Sequence, residues 1–517
     1  MRHSFFKTIL LLTAFFISSI TVQAQHQALE GIEEYIKSGM SDWEIPGMSV
    51  SVVKDGEVIF AEGFGIRKLG EPEPVDEHTL FGIASTTKAM TAATLAILVD
   101  EGKLHWDDPV VKYLPHFKLY DPYVTANVTI RDLLTHRTGL GRMTGNRLQY
   151  MPFRERSELI YRMRYMEPEA PFRERYVYSN MAYMVAGEVV HSVSGMSWDD
   201  FIATRMFEPL GMSRTNTSIT QIADNENAAW PHQEIKGEMV TIPRRNFDNV
   251  GASASVNSSA YDMAKWMLFN LGKPGELDGK RLISEQAMAE LYRPVTAIAG
   301  SNREAPISSY ALGWSVTTYN GYTLYRHGGA TDGMNTNLII IPEKNLGIFI
   351  TTNVFNRFMT ALGNEIVDRF IGLGPTDWNA MILRGYQNQK ARVQSLRDEI
   401  HSQRVTGTNT SRPLSAYEGV YLDNLYDNVE VKLGENGLEL HFWDDETQIA
   451  DLEHWHYDTF RAVWRNPAQR EKFVHFTMGR DGQPNELHVT FTLRPMLLQV
   501  GIYPTNYYRD VRFVKQD

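Results

Sequence analysis

The spacing of apolar positions changes character along the chain, and each change marks a different kind of element. From Met48 to Gly70, MSVSVVKDGEVIFAEGFGIRKLG sets a Val-rich run before the turn-forming Lys54-Asp55-Gly56 and a second apolar run after it, which predicts a β-hairpin. Positions 85–99, STTKAMTAATLAILV, are rich in Ala, Leu and Met and predict a helix despite their threonines, with Glu101-Gly102 as its stop. Between about 105 and 240, short apolar runs mixed with Met, Arg and Tyr predict a helical layer. The runs at 312–316, 322–327, 336–341 and 345–350 are successive strand candidates, so an antiparallel sheet with helices around it is expected.

The segment 398–412, DEIHSQRVTGTNTSR, turns abruptly polar and Gly/Thr-rich before Pro413 and is the best domain boundary. Beyond it the pattern becomes short alternating runs at 429–433, 438–442, 472–476 and 487–493. Strands of that length cover their apolar faces by closing a small barrel, which also removes exposed edges. The expected organisation is therefore a large unit at 25–397, a connector at 398–412 and a small β-barrel at 413–517.

Residues 1–24 run from Arg2 and Lys7 through the apolar LLTAFFISSI to VQA before Gln25, the order of a cleavable secretory signal. The apolar run is broken by Ser and Thr and falls short of the roughly 20 residues that span a bilayer, so no stable membrane insertion is expected after cleavage. The chain has no cysteine, which excludes disulfides and a lipid-modified cysteine but not an oxidising compartment. A periplasmic or secreted location is expected. With 51 Lys+Arg against 62 Asp+Glu there is no basic excess to meet a phosphate backbone, so nucleic acid is not an expected partner. No Rossmann fingerprint or P-loop points to a nucleotide.

Three clusters carry candidate chemistry. Ser85-Thr86-Thr87-Lys88 spaces a hydroxyl and an ammonium by nearly one helical turn, so both can meet on one face. A serine so placed can attack a carbonyl while N–H groups at the helix start stabilise the developing negative charge. A serine there can also simply cap its helix. Tyr178-Ser179-Asn180 precedes a second helical run; Tyr178 can exchange a proton with Ser85 or a leaving group, and Asn180 can orient Lys88 and the substrate. His327-Gly328-Gly329-Ala330 follows the strand-like YTLYR, where glycines let a backbone approach substrate closely. There His327 can donate a hydrogen bond or tune Tyr178, and the Ala330 N–H can form an oxyanion hole with that of Ser85.

Taken together, these clusters resemble the serine β-lactamase-related hydrolases, a superfamily of class C β-lactamases, DD-peptidases, D-aminopeptidases and esterases. The stretches TLFGIASTTKAMTA, LHWDDPVVKYLP and TIRDLLTHRTGL extend the resemblance over roughly residues 30–365. It implies an α/β fold of β-lactamase/transpeptidase type, an antiparallel sheet flanked by helices with a helical subdomain. It also implies that Ser85 forms an acyl-enzyme, that Lys88 and Tyr178 share its activation, and that Asn180 orients the site. His327 stands where many penicillin-recognising members use Lys, with Gly328 and Gly329 beside it in the substrate-binding strand and Ala330 as a backbone donor. The Lys-to-His difference shifts the expectation from antibiotics toward amides and esters. The C-terminal segment, with SAYEGVY at 415–421 and HWHYDTF at 454–460, resembles the small lipocalin-like barrel attached to some of these enzymes.

The expected activity is acyl-enzyme hydrolysis of an amide or peptide, cell-wall-derived or containing D-amino acids. A carboxylesterase, a β-lactamase and a noncatalytic ligand-binding protein are the alternatives. No cofactor is expected. His454 and His456, with His441 or His475, invite a metal reading, but without HExxH or a compact acidic cluster surface histidines are the better account. Oligomerisation is left open.

Overall fold

The computed structural model describes residues 27–141, 145–151, 153–223, 225–298, 308–443, 445–466, 468–469, 471–492 and 508–516. The secretory-signal segment at 1–24 lies outside them.

After helix α1 (Ile32–Asp42), strands β1 (Gly47–Lys54) and β2 (Glu57–Gly65) form the expected hairpin. Asp55 and Gly56 both have positive φ, 53° and 88°, which is the backbone a two-residue hairpin turn demands. The central helix α2 (Thr87–Asp100) is followed by the short α3 (Ile130–Leu134), by α4 (Asn180–Ser194) and by α5 (Ala260–Asn270). Strands β3 (Thr296–Ile298), β4 (Ser308–Tyr310), β5 (Ser315–Tyr319), β6 (Tyr322–Thr331), β7 (Met334–Ile341) and β8 (Leu346–Thr352) complete an eight-stranded sheet in the order β2-β1-β8-β7-β6-β5-β4-β3. Every neighbouring pair is antiparallel.

The sheet is covered on both faces, which explains why β7 reads as an unbroken Leu-Ile-Ile-Ile run rather than an alternating one. Leu338, Ile340 and Phe349 join the core shared with α2 and α4. Ile339, Ile341, Ile348 and Ile350 pack instead with α1 and with α6 (Phe358–Ile371). Helix α2 is buried from Thr87 to Leu98, Lys88 included, as befits a helix apolar on nearly all sides. Among the described residues no helix is long and apolar enough to cross a membrane.

Helix α7 (Trp378–Ser402) leads to the C-terminal unit, a closed barrel of eight strands: β9 (Gly419–Asp423), β10 (Asp427–Gly434), β11 (Gly437–Phe442), β12 (Ile449–His456), β13 (Thr459–Trp464), β14 (Lys472–Met478), β15 (Pro484–Thr492) and β16 (Tyr508–Lys515). Pairing of β9 with β16 closes it. Tyr417, Tyr421, Leu440, Phe460, Phe476 and Phe513 fill the interior.

The structure corrects the sequence reading in several places. Residues 398–402 belong to α7 rather than to the connector, and the Gly/Thr-rich composition that ends the helix begins only after Ser402. The helical layer stops short of 240, where His232–Ile235 and Glu238–Thr241 pair about Lys236-Gly237, both at positive φ. Ser85 lies on a 3-10 turn, Ala84–Thr86, and the α-helix begins at Thr87. His327 to Ala330 do not follow a strand but form part of β6. The strand expected at 312–316 begins only at Ser315, since Gly313 takes φ 83° where its bare Cα passes the carbonyl of Lys88.

Candidate active site

The nucleophile turn is built before α2 starts. Ala84, just ahead of Ser85, holds φ at 47°, a left-handed conformation that costs a residue with a Cβ about 1–2 kcal/mol. Tertiary bonds sustain it. Ile83 N–H donates to the Val256 carbonyl (2.9 Å), Thr336 Oγ1 donates to the Ile83 carbonyl (3.2 Å), and the Thr86 and Thr336 hydroxyls are bonded at 2.8 Å. A Cβ on Gly329 would fall 2.0 Å from the Ile83 oxygen, so only glycine lets β6 lie this close to the turn.

Ser85 Oγ receives the Lys88 ammonium at 3.1 Å and the Tyr178 hydroxyl at 2.8 Å. Lys88 is fully buried, and its Nζ also donates to Asn180 Oδ1 and to the Ser253 carbonyl, both at 2.8 Å. Its cation lies 4.8 Å from the Tyr178 ring centroid and 5.3 Å from that of Tyr183. Asn180 opens α4 behind the N-cap Ser179, whose side chain accepts from Ala182 N–H. The amide of Asn180 is used on both sides: its oxygen takes Lys88 and its Nδ2 donates to Gln149 Oε1 at 3.0 Å. A carboxamide held at both ends has a fixed orientation.

Tyr178 sits in an aromatic cluster. The His136 ring lies 4.3 Å from that of Tyr178 and 4.7 Å from that of Tyr310, and its Nδ1 accepts the Ser179 N–H at 3.1 Å. His327 is buried and reaches Tyr310: its Nε2 meets the Tyr310 hydroxyl at 2.8 Å, and its Nδ1 meets the Gly328 carbonyl at 2.8 Å. Both bonds are satisfied when Nδ1 carries the proton and Nε2 accepts from Tyr310. Burial pushes the Tyr310 phenol well above its ordinary range, so it keeps the proton it donates. His327 is thus linked to Tyr178 through Tyr310 and His136.

Beneath His136, Asp132 is fully buried and completes a capping box with Thr129 at the start of α3. Burial alone would raise its carboxyl. Hydrogen bonds from Arg173 and Thr129 and the charge of Arg137 outweigh that and hold it below the usual carboxylate range.

A cleft adjoins the nucleophile turn, lined among others by Ala84, Ala254, Thr331 and Asp332. Arg245, also on its wall, lies 3.2 Å from the Tyr150 ring centroid and forms an ion pair with Asp332 at 3.6 Å. The β5–β6 ladder ends at Arg326, whereas the β6–β7 ladder continues to Thr331. The His327–Thr331 stretch therefore runs past the end of β5, with Gly328 exposed.

The structure brings Ser85, Lys88, Tyr178 and Asn180 into one hydrogen-bonded set, and places Gly329 against the turn two residues before the serine. Ala330 pairs with Asn335 on β7, one residue beyond that contact. Sequence reasoning missed Gln149, Ser253, Tyr310 and Ala84. It quoted His136 within TIRDLLTHRTGL without giving it a role. Among the described residues no group of three or more His, Asp or Glu gathers as metal ligands. His454 Nε2 bonds the Tyr457 carbonyl, His456 Nδ1 accepts Val405 N–H, and His475 stacks on His488.

The chain is similar to known proteins along most of its length. The Beta-lactamase family profile matches residues 32–370, and a domain of unknown function, DUF3471, matches residues 403–500. The chain is 27% identical over 490 residues to the unguisins hydrolase ungD' of Aspergillus campestris, covering 87% of each. It is 25% identical over 360 residues to the protein flp of Staphylococcus aureus, covering 69% of this chain and 70% of that one. Among solved structures, the octameric penicillin-binding protein homologue from Pyrococcus abyssi superposes with TM-score 0.59 at 22% identity, over 94% of this chain and 100% of that one. SurE does so with TM-score 0.56 at 20% identity, over 90% and 97%. These two share the fold. With the family profile spanning well over half its length, the chain belongs to the Beta-lactamase family, a family of serine hydrolases.

Proposed function

We propose that this protein is an exported serine hydrolase that cleaves an amide or peptide bond through an acyl-enzyme on Ser85. The observation that carries the reading is the convergence of Lys88 Nζ and Tyr178 OH on Ser85 Oγ. In the resting site both groups donate to the serine. Once Lys88 or Tyr178 has given up a proton, the same short contact accepts the serine's, and Oγ attacks the substrate carbonyl. The oxyanion then faces the N–H groups of Ser85 and Ala330. Collapse breaks the C–N bond as Tyr178 returns a proton to the leaving amine, and water releases the acyl group by the reverse relay. When Tyr178 is the base, Lys88 keeps its proton and is the buried cation that stabilises charge on Ser85 and Tyr178.

Export rests on the order of charged, apolar and small residues in 1–24. The relative named a hydrolase, matched across 87% of each chain, supports the reaction class.

One observation favours a second reading, a carboxylesterase. His327, at the position where penicillin-recognising relatives use Lys, is turned toward Tyr310 and offers the cleft no flexible ammonium for a substrate carboxylate. Comparing kcat/KM on D-amino-acid amides and peptides, short esters and β-lactams separates the readings. Highest turnover on amides supports the first, and highest turnover on esters the second. Saturable binding without turnover on any of them marks a ligand-binding protein.

A further inference from the structure

We propose that the first turn of the C-terminal barrel is a positioning element of the catalytic site, holding Gln149 against Asn180; the inference rests on the reading of Ser85 as the nucleophile. The turn joins β9 to β10. Asp423 Oδ1 accepts the N–H groups of Leu425 (2.9 Å) and Tyr426 (2.8 Å), which fixes its shape, and the Trp443 indole donates to the Tyr426 carbonyl from the barrel side.

From this turn two contacts reach into the hydrolase unit. The buried Tyr426 hydroxyl accepts Gly145 N–H at 3.1 Å. Asp427, at φ 65°, receives Arg154 Nη2 at 2.6 Å and Arg162 Nη2 at 2.8 Å, and Arg162 also donates to the Asn424 carbonyl. One carboxylate thus grips two arginines on either side of a helical turn.

Between those grips lies the short turn Asn146–Tyr150, closed by Leu148 N–H on the Gly145 carbonyl (2.9 Å) and Met151 N–H on the Leu148 carbonyl (3.1 Å). Gly145 itself needs its freedom, with φ 99° and a Cβ position only 2.3 Å from Met166 Cε. Gln149, four residues on, presents Oε1 to Asn180 Nδ2, and Asn180 Oδ1 holds Lys88. On its other side the same turn is held by Arg245 on the Gln149 carbonyl and Asn249 on the Met151 carbonyl. The turn carrying Gln149 is therefore clamped between the hydrolase loop at 245–249 and the barrel. Losing the barrel grip leaves Gln149 held from one side only.

In this arrangement Gln149, Tyr426 and Asp427 are positioning residues: they act through Asn180, setting the orientation of the amide that holds Lys88. A displacement of an ångström at a proton-transfer group is enough to slow chemistry by one or two orders of magnitude. The test uses the full-length chain with Asp427→Asn and Tyr426→Phe, measuring hydrogen exchange across 145–163 and the acylation of Ser85 by a serine-reactive ester. We expect faster exchange in 145–163 alone, and an acylation rate lower by about tenfold with KM within about twofold. Gln149→Ala should show the same loss, and combining it with Asp427→Asn should add nothing. Asp451→Asn, which removes a barrel carboxylate paired with Arg465 on the barrel surface, should leave both readouts unchanged.

Wild-type acylation and exchange in both turn variants would overturn the proposal, as would losses from Gln149→Ala and Asp427→Asn that multiply. If Asp427→Asn fails to fold, Tyr426→Phe decides, since it removes only a hydroxyl and keeps the buried ring. A wild-type chain that does not acylate at Ser85 defeats the serine-hydrolase reading and the catalytic half of this one together. Unchanged exchange beside normal wild-type acylation defeats the coupling alone.

Discussion

Lys88 Nζ lies 4.8 Å from the ring centroid of Tyr178, and the two residues reach the same atom, Ser85 Oγ, from different sides. A proton leaving the serine can thus pass directly to whichever of the two has already given up its own. The cation stays close to the phenol oxygen and the serine oxygen as negative charge passes between them.

Separating the two roles is a matter of mutation. Tyr178→Phe keeps the ring over Lys88 and removes only the hydroxyl, whereas Lys88→Met keeps the buried volume and removes the charge. Each should lower the acylation rate by about 100-fold or more while the melting temperature changes little. A Tyr178→Phe variant at wild-type rate would show that Lys88 alone takes the proton.

Gly329 is constrained by the backbone oxygen of Ile83, which cannot swing aside as a side chain would. Gly329→Ala should destabilise the chain by about 1–3 kcal/mol and push the Ser85 turn off β6, lowering acylation with it. Gly328→Ala, exposed and 3.3 Å from its nearest neighbour, should fold normally. Thermal melts and burst kinetics on the pair check this.

Much of this was readable in the residues, and the remainder was not for identifiable reasons. The Ser85–Lys88 spacing is local, a matter of one helical turn, so it survived even though the serine proved to sit on a 3-10 turn. The buried strands declared themselves through their apolar runs, and the barrel through its alternation. Gln149, Ser253 and Tyr310 are distant in sequence from the groups they support, and only the topology brings them in. The positive φ of Ala84 has no local signal, because alanine does not favour it; the bonds from Val256 and Thr336 impose it.

Acid should loosen the layer beneath the site through Asp132. Its folded carboxyl lies below the ordinary range, so its stabilisation is present above the unfolded value of about 3.9 and is lost as pH falls through the folded one. Asp132→Asn should cost about 1–3 kcal/mol at neutral pH, because Arg137 and the solvent-accessible Arg173 lose their anion and the buried site loses charge-assisted hydrogen bonds. The difference from wild type should shrink below about pH 4. Urea melts of both proteins across that range measure it.

Tyr310→Phe removes the hydroxyl that His327 Nε2 accepts, without touching Ser85, Lys88 or Tyr178. The unpaired imidazole nitrogen should cost about 1–3 kcal/mol of stability, with a smaller loss of acylation than Tyr178→Phe causes. An equal loss in the two variants would place Tyr310 in the proton path itself.

In this mechanism Ser85 Oγ is the atom that takes the acyl group. Intact-protein mass spectrometry after exposure to a serine-acylating probe measures this, with the wild-type chain set beside Ser85→Ala. The account expects a single adduct on the wild type and none on the folded variant. An adduct of equal yield on Ser85→Ala would contradict it.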